Sequence, residues 1–400
     1  MDGILFKIGS IAILFILLFT GFFVFDLFPE ESFDENSDDI SADMLLESAM
    51  LGGNYLVNAT GETGRFVYDY GASQDEEYSS YNLLRHAGTI YSMLQLYDVT
   101  KDQMLLSSAK KAIDYLLYFV KSFDNDSICI VNDEDEVKLG GNALAVVALA
   151  EYMKVTDDDI YLPVMQNLTR FIEKSQKESG EFISKRMFST NDIIDWNSDY
   201  YPGEALLALC KLYSLDYNET WLDVAEKAAK FLISVRFIQD EDYREVHDHW
   251  LMIALNELYR YRGDLLYLNH SMNLSNGIMV LQRDGVNRES EYPDWLGSYY
   301  TPPHSTSTAT RTEGLVAAYN LAYDFGEKDV ATSILNAIKL GINFQLKTQL
   351  KQEDVSDLPD PNQAIGGFCY SLDSYSIRID YVQHNICSIL GLYHILENNN

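Results

Sequence analysis

The sequence is poor in positive charge. It holds 29 lysines and arginines against 61 aspartates and glutamates, a formal net charge of −32. A phosphate backbone would be repelled by that surface, so no nucleic-acid partner is expected. Cysteine is scarce too: Cys129, Cys210, Cys369 and Cys387 form no CxxC pair, and Cys210 and Cys387 fall in apolar helical runs. Buried free thiols are expected rather than a disulfide framework. A third absence is a small-x-small cleavage site ahead of Asp26. It matters because an uncharged run, IGSIAILFILLFTGFFVF, spans residues 8–25, and without such a site the run reads as an uncleaved anchor instead of a leader.

What is present supports export. Lys7 precedes the apolar run, and Asp26, Glu30, Glu31, Asp34 and Glu35 follow it. The positive-inside bias then predicts a short cytoplasmic tail (1–7), a transmembrane anchor (8–25) and the rest of the chain outside the cytoplasm. Asn-x-Ser/Thr sequons at Asn58, Asn125, Asn167, Asn218, Asn269 and Asn273 fit an exported domain. Residues 26–40 are acidic and poor in core formers, which reads as a linker.

From 41 to 397 one pattern repeats. Six apolar segments can be laid over one another: RHAGTIYSMLQLY, GNALAVVALAEY, GEALLALCKLY, DHWLMIALNELY, TEGLVAAYNLAY and QHNICSILGLY. Their polar starts are His86, Asn142, Glu204, His249, Glu313 and His384, and each segment ends in a tyrosine nine to eleven residues later. Segments apolar nearly all round are buried on several sides. The helices between them carry only an apolar stripe, as in TWLDVAEKAAKFLISV. The pattern predicts an all-α domain, with an inner ring of buried helices wrapped by an outer ring. The helix over about 41–56 has no partner before it, and the one over about 381–397 has none after it. Pairing these two closes six hairpins. The long loops entering the inner helices, such as MFSTNDIIDWNSDYY and RESEYPDWLGSYYTPPHSTSTAT, then share one end of the ring, where function is expected.

This arrangement resembles the six-hairpin, or (α/α)6, toroid of the glycosidase-like superfamily. The resemblance implies a substrate funnel at the mouth of the inner ring, with acid and base residues there. It spans glycoside hydrolases, sugar 2-epimerases and uronic-acid enzymes. Prenyltransferases and lanthionine cyclases share the toroid but depend on a zinc held partly by cysteine. No cysteine stands at an inner-helix start here, so neither a metal nor another cofactor is expected.

Several constellations at the mouth could carry chemistry. Glu204 and Glu313 form a carboxyl pair for glycosidic cleavage, which needs one protonated and one ionised group. Asp195 and Asp199 are alternative members of that pair, and Asp248 and Asp380 secondary ones. The acids also have a plain reading as helix N-terminal caps. Arg85, Arg311 and Arg378 suit a uronic acid or a similar acidic sugar, or else pair with nearby acids. His86, His249 and His384 would serve as proton shuttles in an epimerisation; a shared metal is disfavoured because they come from three helices. Asn142 belongs to the same set of starts. Trp196, Tyr200, Tyr201, Trp250, Trp295, Tyr299 and Tyr300 offer rings for stacking on sugar faces. The expected function is a membrane-anchored, extracytoplasmic carbohydrate-active enzyme, led by a glycoside hydrolase on an acidic or complex glycan. A sugar or uronic-acid epimerase is the alternative, and a non-catalytic glycan-binding or envelope scaffold the third.

Overall fold

The computed structural model describes residues 40–286, 288, 292–326 and 328–398. The chain divides into two units, Met1–Asp39 and Ile40–Asn400. The expected tail, anchor and nearly all of the linker belong to the first and lie outside the described residues. Among the described residues no helix is long and apolar enough to cross a membrane.

Six helices form an inner ring: α2 (Leu83–Thr100), α4 (Leu139–Thr156), α6 (Tyr201–Asp216), α10 (His249–Arg262), α12 (Ser305–Asp324) and α16 (Ile379–Asn398). Each packs on the next, and α16 packs back on α2. Outside them, α3 (Gln103–Leu117) lies on α2, α5 (Leu162–Lys174) on α4 and α7 (Glu219–Phe231) on α6. Likewise α11 (Leu265–Leu281) lies on α10, α13 (Lys328–Leu346) on α12 and α1 (Ala42–Ala59) on α16. The last of these pairs is the predicted closure between the two ends of the domain. Short helices α8 (Phe237–Gln239), α9 (Glu241–Val246), α14 (Gln352–Val355) and α15 (Pro361–Ala364) sit in the connections.

Side-chain pattern explains the two rings. Every residue of α4 from Leu139 to Tyr152 is buried, because this helix meets neighbours on all sides. In α3 only Leu105, Ser108, Ala109, Ala112, Ile113 and Leu116 are buried, the one-sided stripe of a helix facing water on its back. The hairpin turns are equally legible. Helices α2, α6 and α10 stop at Lys101, Tyr217 and Gly263, each in the left-handed region. The next residue, Asp102, Asn218 or Asp264, caps the outer helix through its side-chain oxygen. A left-handed stop followed directly by an Asx cap reverses the chain in two residues. The tyrosines that end the inner helices reinforce these turns: Tyr213 Oη donates to Glu219 at the start of α7, at 2.9 Å.

The expectation of a purely helical domain needs one correction. Strands β1 (Asp69–Gly71), β2 (Glu76–Glu77), β7 (Cys369–Ser371) and β8 (Ser374–Arg378) form an antiparallel sheet in the order β2-β1-β8-β7. Pairs β3 (Val120–Ser122) with β4 (Ile128–Ile130) and β5 (Glu136–Lys138) with β6 (Lys185–Met187) brace other loops. Loops crowded at the ring's edge satisfy their backbone groups by pairing with each other. As a result β8 delivers Arg378 opposite Asp69 and runs directly into α16. The four cysteines are free, three of them buried.

Candidate active site

All six inner helices contribute to a cavity of about 390 Å³ at the end where most of them begin. Helix α2 supplies Arg85, α4 Leu144, α6 Tyr201 and Glu204, and α10 His249 and Trp250. Helix α12 supplies Arg311, and α16 supplies Asp380 and His384.

At the inner end of the cavity His384 Nδ1 lies 2.7 Å from Glu313 Oε1. Burial raises the Glu313 carboxyl above its ordinary value, and the neighbouring His384 works against that rise. The His249 ring meets His384 edge-on, with centroids 5.3 Å apart. His249 Nε2 is buried and has no hydrogen-bond partner among the described residues. Burial, helped by the charges of His384 and Arg311, holds His249 well below the usual histidine range, so it is neutral at pH 7. One donor atom from each of His249, Glu313 and His384 lies within 4.8 Å of the other two. A divalent cation favouring nitrogen and oxygen ligands would fit such a set. Origin in three separate helices, which argued against a shared site, is what the ring overcomes; His86, grouped with them from sequence, is replaced by Glu313.

A second group is acidic. Glu204 is the fourth residue of α6, yet it caps nothing, and its buried Oε2 has no partner among the described residues. Gly140 makes room for it: a Cβ there would stand 2.0 Å from Oε2. Burial drives the Glu204 carboxyl well above its usual range, and the charge of Asp248 adds to the rise. Asp248 itself caps α10, its Oδ1 accepting from the amides of Trp250 (3.0 Å) and Leu251 (3.3 Å). Its Oδ2 is buried without a partner among the described residues, and burial outweighs the two amide bonds to push it well upward. Glu313 is the ninth residue of α12, two turns from that helix's start. Neither glutamate, then, is a helix cap.

The third group is cationic. Asp380 Oδ2 pairs with Arg85 Nε at 3.0 Å, and its two oxygens accept from Arg378 at 2.5 and 3.0 Å. Arg85 also donates to Tyr68 Oη at 2.7 Å. Arg311 donates to Tyr300 Oη (2.6 Å) and to the Ser307 carbonyl (3.1 Å), with the Tyr299 and Tyr300 rings against its guanidinium. The Tyr370 ring packs tilted against His304, with centroids 4.3 Å apart, and its hydroxyl lies 2.8 Å from His304 Nε2.

Of the residues expected from sequence, Arg85, Tyr200, Tyr201, Glu204, His249, Trp250, Tyr300, Arg311, Arg378, Asp380 and His384 line the cavity, and Glu313 stands behind His384. The others do not. His86 is fully buried; its Nδ1 is 2.6 Å from Tyr81 Oη and its Nε2 is 2.8 Å from the Ala112 carbonyl of α3. With both ring nitrogens engaged and burial lowering it to about 4, His86 joins two helices and is no proton shuttle. Asn142 accepts from Ile130 N and donates to the Lys138 carbonyl, pinning β4 to α4. Asp195 is exposed, and Asp199 is held by Arg236 at 2.6 Å. Trp196 is half exposed beside Tyr201, and Trp295 packs with Tyr292 and Arg283. The entry loops carry these residues past the rim. Sequence reading did not single out His304 and Tyr370; the histidine opening STSTAT just before a helix start was the available signal.

No protein-family model matches the chain, and no curated protein matches its sequence. Solved structures do. A D-mannose isomerase superposes with a TM-score of 0.65 at 14% identity, covering 92% of this chain and 100% of that one. An α-1,6-mannanase of a Salegentibacter species, studied with α-1,6-mannotetrose, gives 0.64 at 12%, covering 88% and 99%. A heparin-specific unsaturated glucuronyl hydrolase gives 0.59 at 12%, covering 89% and 99%. The fold is the (α/α)6 toroid. The likeness is one of fold.

Proposed function

We propose that the protein is a carbohydrate-active enzyme of the sugar isomerase or epimerase type, moving a proton beside the carbonyl of an open-chain sugar. The observation that carries this reading is the asymmetric histidine pair. His249 is neutral, with a free Nε2, while His384 is held by a carboxyl. Two like groups in unlike environments are what acid–base assignment requires. One imidazole takes the proton from the carbon next to the carbonyl, and the electron pair moves onto the carbonyl oxygen. The other imidazole, oriented by Glu313, returns a proton to the opposite face of that carbon as the carbonyl re-forms, or to the neighbouring carbon while the hydroxyl proton on the first carbon passes to the former carbonyl oxygen. Guanidinium donors at the wall stabilise the enediolate oxygens. The D-mannose isomerase on the same fold supports this choice.

The test is hydrogen exchange. Aldoses and ketoses are incubated with the enzyme in deuterium oxide, and label at the carbon beside the carbonyl is read by NMR. Exchange is expected in the native enzyme and lost in His249→Asn and His384→Asn. A native enzyme that exchanges none of them sinks the reading.

Hydrolysis is the second reading, favoured by the unpartnered Glu204 in the cavity wall, whose carboxyl burial drives well above its usual range. Its partner carboxyl would be Asp380, which lines the same cavity, because Asp195 and Asp199 stand elsewhere. Glu204→Gln that stops release of reducing ends from glycans, with deuterium exchange absent, would establish it. A non-catalytic scaffold has no use for an open cavity with unpartnered polar atoms. We also propose that residues 8–25 anchor the domain in a membrane with the toroid outside the cytoplasm. Support comes from the uncharged run and its flanking charges, and from the exposure of Asn58, Asn125, Asn218, Asn269 and Asn273. Protease added to intact cells should digest the toroid; complete protection would refute that placement.

A further inference from the structure

The charge balance of the cavity is opposite to that of the chain. In a protein of formal net charge −32, three guanidiniums line this cavity, those of Arg85, Arg311 and Arg378. The carboxyls lining it are Asp380 and Glu204, and burial drives the Glu204 carboxyl well above its usual range. Three guanidiniums thus face two carboxyls. Asp380 answers Arg85 and Arg378 together, which leaves one cation in excess there and Arg311 with no carboxylate among the described residues.

Arg311 is more than nine-tenths buried. Its donors reach only a tyrosine hydroxyl and a backbone carbonyl, and its Nε is buried with no partner among the described residues. A buried charge without a counterion is unfavourable unless something supplies one. Arg283 shows the alternative. It is buried as well, but its guanidinium is spent on the Tyr299 carbonyl and the Ser298 and Thr301 hydroxyls, and it does not line the cavity. Arg311 does line it, with the Tyr299 and Tyr300 rings against its guanidinium. A planar guanidinium with an unpartnered donor at a cavity wall is a natural receiver of a carboxylate or phosphate.

We propose that the sugar bound in this cavity carries an anionic group, a carboxylate or a phosphate, and that Arg311 receives it. This deepens the proton-transfer reading and rests on it only for the word sugar. The counterion that Arg311 lacks arrives with the substrate, so binding and charge neutralisation are one event.

The experiment is calorimetric titration of the full-length chain in detergent at low salt. The probes are panels of aldohexoses, the matching hexuronates and the matching hexose 6-phosphates. The expected result is an anionic sugar bound at least tenfold more tightly than its neutral counterpart, the panel in which it falls distinguishing carboxylate from phosphate. Arg311→Gln should weaken anionic-sugar binding at least tenfold more than neutral-sugar binding, while Arg311→Lys should keep part of the difference. Should the Arg311 variants fail to fold, Tyr300→Phe removes the hydroxyl that holds the guanidinium and should reduce the preference several-fold. Absence of any preference for an anionic sugar overturns the proposal, as does equal weakening of both classes by Arg311→Gln. An enzyme that exchanges hydrogen equally well in neutral and anionic sugars defeats this proposal and spares the proton-transfer reading. One that binds anionic sugars through Arg311 and exchanges nothing does the reverse.

Discussion

Each end of the ring holds a polar cavity, about 390 Å³ at the mouth and about 260 Å³ at the end built by the C-terminal halves of the inner helices. The second is as rich in charge as the first, but its charges are paired. Lys211 meets Glu257 at 2.7 Å, and Lys154 meets Glu151 at 2.8 Å and Asp98 at 3.4 Å. Burial works to raise the Glu257 carboxyl, yet Lys211 beside it brings it below its ordinary value. At the mouth, Glu204, Asp248, His249 and Arg311 each keep a buried atom without a partner among the described residues. Equal polarity therefore has two meanings. Groups that answer each other stabilise the ring, and groups left unanswered await a ligand. Glu313 belongs to both ends, lining the far cavity while holding His384.

That contrast can be broken in four places. The largest effect is expected at the mouth. His249→Asn or His384→Asn should slow turnover by about 10²–10⁴-fold, the usual worth of a positioned acid or base, with a melting temperature close to native. A comparable loss of stability in either variant would move the histidine into the paired class.

Acid should reveal a different histidine. Burial lowers His86 from 6.5 in the unfolded chain to about 4 in the folded one. The unfolded state then binds the extra proton between those values, so this contribution is complete above about pH 6.5 and is lost as pH falls towards 4. The full loss is about 3 kcal/mol by linkage. His86→Phe should flatten the slope of stability against pH in that window, measured by urea unfolding; an unchanged slope would show that His86 does not create it.

At the far end, Lys211→Met strands Glu257. Each partner keeps about a quarter of its side chain in contact with solvent, so the cost is about 2 kcal/mol, below that of a fully buried pair. Turnover per folded molecule should stay the same, and a fall in turnover would mean that the far cavity takes part in catalysis. The smallest effect is local. Asp264→Ala removes the cap of α11 and should cost about 1 kcal/mol, seen in thermal unfolding and absent from kinetics.

The sequence exposed the ring because the ring is written in repeated local signals. The six apolar segments, the Asx caps at Asp102, Asn218 and Asp264, and the stripe on α3 each follow from near neighbours. The partition at the mouth was not legible in that way. His86 and His249 look alike in sequence, each opening an apolar segment; the structure separates them because Tyr81 and the Ala112 carbonyl reach the first and no described partner reaches the second. Asp195 and Asp199 stand close before Glu204 in DWNSDYYPGE, yet the loop turns them away, and Arg236 captures Asp199 from a distance of 37 residues. The small strands escaped notice because partners such as Asp69 and Arg378 come from opposite ends of the domain.

The joint between α1 and α16 has a temporal consequence. The other five hairpins join neighbours in the chain and can form as soon as both helices exist. The closing pair is different: Gln349, just after α13, already reaches back 301 residues to bond Ser48 of α1, and α16 is added later still. On the ribosome, α1 waits through the synthesis of nearly the whole domain before its partner appears. Until then the circle is an open arc, with the apolar flanks of α2 and α12 bare where α16 will seat. A chain built this way spends most of its birth with one seam of the ring unsealed. Loop closure over so long a span is slow, which makes the final helix the step that commits the molecule to its shape.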